Sequence, residues 1–288
     1  MEMKRKALLS IKEGLRDPFG RLSSWIGEDC CNLAGVGCSN QTGHIVDHRN
    51  KYDCPSDGGN SAPPNRFYQL GGTLNPSLLN LTHLNYLDTL PFVNFTSLQA
   101  LDLSYNKFSS SLPHWLFNFS TLVEVRLRHS NLTGHTPKVS PGNLRNLQVL
   151  DLSSSSIGGE IEELIEGLSR CSNCSLETLD LNTNNLAGNL PDSWGFLRNL
   201  KFLALGSNKL TGKLSDSLGS LGYLAYLQLS HNAFWGPLLK SVGNLSRLEV
   251  LDLRFNMMSG TITESIGQLP RLFQLGLYGN LGIPLKES

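Results

Sequence analysis

The sequence predicts an α/β repeat, a solenoid of stacked coils whose short parallel strands form one curved sheet, closed at its N-terminal end by a helical cap. Three observations predict it. Leucines recur in pairs two residues apart at a near-constant step, an asparagine follows most pairs at a fixed offset, and an amphipathic stretch with clustered cysteines precedes the first pair.

In chain order, residues 4–16 place Ala7, Leu8, Ile11 and Leu15 on one face of a helix, and Asp17-Pro18 ends it. Residues 47–69 are polar and rich in Gly, Pro and Asn, and read as a long loop after a strand near Ile45-Val46. LTHLNYLD at 81–88 then begins a coil whose strand leucine is Leu87. The next strand leucine, Leu101, follows after 14 residues where the regular step is 24. An internal deletion is the economical reading of this short unit; a natural kinked connection is the other.

From there the period is regular. The aligned strand positions are Leu101, Val125, Leu150, Leu179, Leu203, Leu227, Leu251 and Leu275, at steps of 24, 25, 29, 24, 24, 24 and 24 residues. Apolar residues alternating with variable ones make a strand with one buried face, and one unit alone cannot bury it. Asn follows at 106, 184, 208, 232, 256 and 280, where the chain turns off the strand, with Ser130 and Ser155 in its place in two coils. A buried turn strands backbone donors and acceptors. A carboxamide satisfies both kinds, so the Asn side chains are expected to stack into a ladder that weakens at the two Ser. Each coil's second half carries a Gly, as in LAGNLP from 186 and LTGKL from 210, which permits a bend. The chain thus divides into a cap with its loop (1–69), an irregular shortened repeat (70–97) and eight repeats, the last incomplete (98–288).

This spacing is the leucine-rich-repeat pattern, and its L-x-G-x-I/L-P half resembles the plant-specific subtype over about residues 70–280. From Ala7 to Val46 the chain also resembles the N-terminal cap of plant leucine-rich-repeat receptor-like proteins. A-L-L-x-x-K-x-x-L, L-S-S-W, D-C-C-x-x-x-G-V-x-C and T-G-H-I-V occur in order. The resemblance implies a disulfide between Cys31 and Cys38. The family's partner for the first cysteine of the pair is absent, which leaves Cys30 free or captured by Cys54, and Leu33 stands where the family has Trp.

The resemblance further implies a non-enzymatic recognition module. It would be part of the ectodomain of a cell-surface receptor that senses a peptide or protein ligand in defence or development and signals through a co-receptor kinase. Such receptors end in a cysteine-bearing cap, an acidic stretch and a membrane helix. None of these follows LGLYGNLGIPLKES, so a front portion of an ectodomain or a truncated relative is expected. A soluble secreted inhibitor of a cell-wall-degrading enzyme shares the repeat and the cap and is the main rival; a truncated, non-functional product is the third reading.

Composition narrows the classes. With 24 basic and 24 acidic residues the formal net charge is zero, which argues against nucleic acid or an anionic membrane bound mainly by charge. No run of 18 apolar residues spans a bilayer. Clustered cysteines (30, 31, 38, 54, 171, 174) and seven sequons at Asn40, Asn80, Asn94, Asn118, Asn131, Asn173 and Asn244 point to the secretory pathway. The first fifteen residues lack the apolar core of an export leader, so either the chain begins inside a longer precursor or the signal is lost.

No enzyme, cofactor or metal is expected. Cys171 and Cys174 have redox-motif spacing but lie in the five-residue insertion of one coil, where a local disulfide or two unrelated thiols is the better reading. His44 and His48 lie on a strand, where a spacing of four does not converge on a metal. Asp102, Asp151, Asp180 and Asp252 form a column between strand leucines and read as solvated. The exposed side of the strands is the working face of such solenoids. Phe202 and Tyr226 share one column there, with Lys201, Gln228, His231, Arg254 and Phe255 around them, the composition of a binding hot spot.

Overall fold

A leucine pair is buried by the pair of the next coil, and the strands stack accordingly. The computed structural model describes residues 98–136, 138–140, 143–170, 174–280 and 282, with shorter stretches at 9–10, 12–18, 20, 22–26, 37–38, 45–48, 70–73 and 86–88; of these, 37–38, 45–48 and 86–88 are described as backbone alone. In the N-terminal part the strands are β1 (Leu15–Arg16), β2 (Gly37–Cys38), β3 (Ile45–His48), β4 (Gly71–Gly72), β5 (Tyr86–Asp88), β6 (Ala100–Asp102), β7 (Lys107–Phe108), β8 (Glu124–Arg126) and β9 (Val149–Asp151). They continue as β10 (Gly158–Glu160), β11 (Thr178–Asp180), β12 (Asn185–Asn189), β13 (Phe202–Ala204), β14 (Lys209–Gly212), β15 (Tyr226–Gln228), β16 (Ala233–Gly236), β17 (Val250–Asp252), β18 (Met257–Met258) and β19 (Gln274–Gly276).

The long sheet has the order β19-β17-β15-β13-β11-β9-β8-β6-β5-β3-β2, parallel except for β2. Its register sets leucine beside leucine, as in Leu179↔Leu203↔Leu227↔Leu251↔Leu275. A second parallel sheet, β10-β12-β14-β16-β18, runs along the other flank of the coils. Its glycines sit where side chains cannot: Gly212 has φ +86°, and a Cβ there would lie 2.5 Å from Asn189 Oδ1. Leucines of both halves of each coil, Leu203, Leu205, Leu210, Leu218, Leu221 and Leu224 in one, fill the space between the sheets and short 3-10 turns. In the 29-residue coil helix α1 (Ile161–Ser169) replaces that turn, with Ile161, Leu164, Ile165 and Leu168 inward.

The expected ladder is present. Asn208 Oδ1 accepts from Leu186 N at 3.0 Å, while Nδ2 donates to Leu205 O at 3.0 Å in its own coil and to Leu181 O at 2.9 Å in the coil before. Asn184, Asn232 and Asn256 repeat this pattern. Ser130 fills its place in part, its Oγ donating to Leu127 O at 2.6 Å, while Ser155 Oγ is buried without a partner.

The N-terminal end departs from expectation. Residues 9–10 and 12–14 are helical, but the chain leaves the helix at Leu15 instead of Asp17, because Leu15-Arg16 pairs with Gly71-Gly72 as an edge strand. Asp17 Oδ2 accepts from Leu22 N at 2.6 Å and folds the chain back so that Leu22 and Trp25 are buried. The strand expected near Ile45-Val46 runs on to His48. Cys31 lies outside the described residues, and Cys38 is placed as backbone in β2.

The short spacing keeps the strands in step. Strand β5 pairs in register with β6, Leu87 beside Leu101, so the 14-residue spacing still delivers a strand to the long sheet. On the other flank β4 pairs directly with β7. Asn106 Oδ1 accepts from Leu70 N across 36 residues, where the regular separation is 22; the difference is the 14-residue unit.

Replacing Asn208 by Ala strands Leu186 N and two carbonyls, and is expected to cost about 1–3 kcal/mol in the denaturant midpoint, whereas Ser155→Ala removes no bond and should be near neutral. Equal effects of the two would contradict the ladder. Amide exchange should also be faster in Tyr86–Asp88, whose leucine precedes the next strand leucine by 14 residues instead of 24, than in β13 and β15; equal protection would show that the short unit is fully coupled.

Candidate functional site

The side chains of the exposed face stand in columns, because parallel in-register strands repeat every position at the strand spacing. Phe202 and Tyr226 occupy one column on β13 and β15 and stack with ring centroids 4.5 Å apart and an interplanar angle of 6°. Tyr226 OH donates to Gln228 Oε1 at 3.3 Å, and the same oxygen accepts from Asn182 Nδ2 at 2.8 Å. This second bond passes over β13, where Ala204 and Gly206 are small enough to let the side chains meet. Lys201 Nζ lies 2.7 Å from Glu177 Oε2. Arg254 forms a bidentate pair with Asp252, 2.8 Å to each oxygen.

A second column lies at the rim. Tyr105, His129, Ser154, Thr183, Ser207, His231 and Phe255, each one residue before the ladder position, all have φ between 51° and 58°. The left-handed turn is where the backbone leaves the strand, and only Gly279 meets it without a side chain. In this column His231 stacks on Phe255 at 4.3 Å and Tyr105 on His129 at 5.3 Å, with Arg128 above Tyr105 at 5.9 Å. Tyr278 closes the row edge-on to Phe255 at 5.3 Å, the two being 75% and 42% exposed.

The expected residues are therefore together but not in one cluster. Phe202, Tyr226 and Gln228 form one group, with Arg254 acting on Tyr226 from the next coil; His231 and Phe255 form another at the rim, which Tyr278 extends, while Lys201 pairs with Glu177. Tyr105 and Tyr278 were missed. Tyr105 precedes Asn106 as His231 precedes Asn232, so the period itself marks Tyr105; Tyr278 occupies the column of Arg254 one coil on.

The aspartate column corrects the expectation of solvated carboxylates. Asp252 and Asp151 are 3% and 8% exposed, and all four carboxylates accept from the backbone N–H two residues ahead, closing the turn. Neighbouring columns about 5 Å away crowd so short a side chain, and Asp102 and Asp180 are half-buried. Burial pushes Asp180 from 3.8 to about 6; the Asn182 N–H opposes this, adjacent Asp151 adds to it and Arg128 lowers it. At Asp252 burial acts in the same direction, yet the Arg254 hydrogen bonds outweigh it and hold the carboxyl below its ordinary value. Burial, then Asp252 and Asp180, raise the Tyr226 phenol, which stays a donor at neutral pH. Cys174 is disulfide-bonded, so two unrelated thiols no longer describe that insertion. Among the described residues no cluster of His, Cys, Asp or Glu is arranged to hold a metal ion, and no helix is long and apolar enough to cross a membrane.

Asp180 gives a pH prediction. Its folded value lies above its unfolded value, so its contribution favours the folded state at low pH and is lost as pH rises through about 6. From pH 7 to pH 5 the wild-type melting temperature should therefore rise relative to that of Asp180→Asn. Parallel curves for the two would contradict the burial of this carboxylate.

Comparison with known proteins agrees with this architecture. Residues 3–39 match the leucine rich repeat N-terminal domain, and residues 97–119, 146–168, 174–234 and 247–269 match leucine rich repeats. Receptor-like protein EIX1 of Solanum lycopersicum is 34% identical over 196 residues, covering 66% of this chain and 17% of the relative. The chain thus spans about a sixth of that relative's length. Among solved structures, the ectodomain of the Arabidopsis receptor kinase HAESA in complex with an N-terminally extended IDA peptide hormone superposes with a TM-score of 0.73 at 29% identity, over 96% of this chain and 41% of the other. The plant peptide hormone receptor RGFR1 in complex with RGF2 does so with a TM-score of 0.65 at 25% identity, over 73% and 34%. On repeat spacing, ladder, cap and these matches, the chain belongs to the leucine-rich-repeat family and is similar in sequence to plant receptor-like proteins.

Proposed function

We propose that this chain is a non-enzymatic recognition module, part of the ectodomain of a plant cell-surface receptor-like protein that binds a peptide or protein ligand on the exposed face of its long sheet. The observation that carries the reading is the stacked Phe202–Tyr226 pair, flanked by polar groups already held in place: Lys201 by Glu177, Gln228 by Asn182 and Arg254 by Asp252. Aromatic surface beside pre-oriented hydrogen-bonding groups binds with little ordering cost. Two similar ectodomains hold peptide hormones, which supports a peptide as the ligand class. A co-receptor kinase would carry the signal, in defence or development, as the resemblance implies. No cofactor enters this reading. The cap with its loop (1–69), the short unit (70–97) and the repeats (98–288) serve as end cover, junction and binding platform.

An extracellular setting fits the sequons. Asn118 and Asn244 each end a 3-10 turn, away from the binding face, and both are exposed, as is Asn131. These three are proposed as glycan carriers; Asn40, Asn80, Asn94 and Asn173 lie outside the described residues.

Selection from a phage-displayed library of random 12-residue peptides tests the reading. Enriched peptides should lose affinity at least tenfold against Phe202→Ala and Tyr226→Ala, and keep it against Lys240→Ala on the opposite side of the coil. Binding indifferent to both aromatic substitutions would place recognition elsewhere.

A further inference from the structure

The outward side chains of the second sheet change character over its last coils. Residues alternate along β14, β16 and β18, so Leu210, Phe234 and Met258 are fully buried while Thr211, Trp235 and Met257 face solvent. The coil does not require a bulky residue there. Thr133, Ala187, Thr211 and Ser259 hold the place of Trp235 in other coils, and Asn185 and Lys209 hold that of Met257. Yet Trp235 and Met257 stand opposite each other in register and are 48% and 50% exposed. Pro237, two residues after Trp235, is exposed as well.

Two lysines border this apolar surface. Lys213 Nζ stands over the Trp235 ring, 5.0 Å from its centroid. Its stem crosses Gly236, where a Cβ would lie 3.3 Å from Lys213 Cγ. Lys209 is exposed at the start of β14, and between the two Thr211 Oγ1 donates to Asn189 Oδ1 at 3.1 Å. Among the described residues neither lysine enters an ion pair. Within the strands of this sheet only β10 carries an acidic residue, Glu160, and it stands two strands away from β14. The surface therefore joins exposed apolar groups to positive charge that nothing beside it neutralises.

We propose that this face of the second sheet is a second interaction surface, and that it takes an acidic peptide segment of a partner protein. An aromatic or aliphatic side chain of the segment covers Trp235 and Met257, and its carboxylates meet Lys209 and Lys213. An indole beside a thioether has the composition of an adaptable contact centre. Carboxylates answer the unpaired lysines. A thioether calls for apolar side chains, which a polysaccharide does not carry. Two copies of this chain meeting symmetrically here would set the lysines against their own equivalents. The surface lies on a different sheet from the Phe202–Tyr226 stack and does not rest on the ligand proposed there.

A phage-displayed library of random 12-residue peptides tests this, depleted first on Lys209→Glu/Lys213→Glu and then selected on the wild-type chain. Both lysines are exposed, so the double variant should keep the wild-type melting temperature. Enriched peptides should carry two or more Asp or Glu beside an aromatic or aliphatic residue. Their affinity should fall about tenfold or more with Trp235→Ala. It should also fall roughly three- to tenfold between about 50 and 300 mM NaCl, because exposed charges are screened. Phe202→Ala and Tyr226→Ala should leave it unchanged, which separates this surface from the one proposed above. The proposal is overturned if no peptide survives the depletion, or if the survivors are indifferent to Trp235→Ala. An oligogalacturonate that binds in a Trp235-dependent way where acidic peptides do not would give the surface to a polysaccharide and overturn the peptide. A dimer in sedimentation that Trp235→Ala and the double variant both abolish would give it to a second copy, with the same consequence.

Discussion

The backbone must be paired where each strand turns into the interior of the coil, and the rest of the structure depends on how that is done. Leucine pairs make a strand but say nothing of its end. At the end, two carbonyls and an N–H from adjacent coils face a dry core. One Asn serves them from both sides, because its carboxamide donates to the carbonyls of two coils and accepts from an N–H of the earlier one. Reaching all three requires a tight turn just before the Asn. That turn is the left-handed residue found in every regular coil. The buried ladder therefore decides where the rim residues stand, and the aromatic row of the exposed face is a consequence of the core's hydrogen bonding.

The energetics of the exposed face can be ranked. Each left-handed non-glycine residue costs roughly 1–2 kcal/mol. A stacked aromatic pair returns about 0.5–1.5 kcal/mol beyond its burial. An exposed ion pair such as Lys201–Glu177 contributes under about 1 kcal/mol. The rim is thus close to neutral, and what holds it is the ladder beneath. The same comparison explains why Ser130 and Ser155 are tolerated. A missing carboxamide removes a few weak net terms, while backbone bonds such as Phe108 N to Ser130 O and Ser156 N to Leu132 O still tie that flank.

The period, strand positions, ladder and plant-type second half were all legible, because each arises from residues spaced along the chain. The Phe202–Tyr226 stack was legible for the same reason, as in-register strands turn a repeat position into a neighbour. Three things were not. The exit from the first helix at Leu15 depends on Gly71-Gly72, more than fifty residues away, approaching the backbone closely. Helix α1 replaces the 3-10 turn in the coil that read only as longer, since its amphipathic face has meaning once the coil supplies a core to meet it. Tyr105 was legible in principle, being placed by Asn106 as His231 is by Asn232, but it lies outside the cluster around Phe202 and Tyr226 that composition marks.

The aspartate column shows where the repeat's authority ends. Asp180 and Asp252 occupy the same slot and make the same turn-closing bond, yet burial raises one to about 6 while the other is held low. The difference lies one column over. The residue two positions after Asp252 is Arg254, whose guanidinium meets both carboxylate oxygens, whereas the residue two positions after Asp180 is Asn182, whose carboxamide is turned away to Gln228. The strand that precedes Asp180 brings Asp151 beside it and so adds a like charge. The ladder and the leucines make the slots equivalent; the side chains free to vary between them decide which carboxylate stays charged near pH 6. In this solenoid, chemical character belongs to pairs of columns, and a single column is only a place to stand.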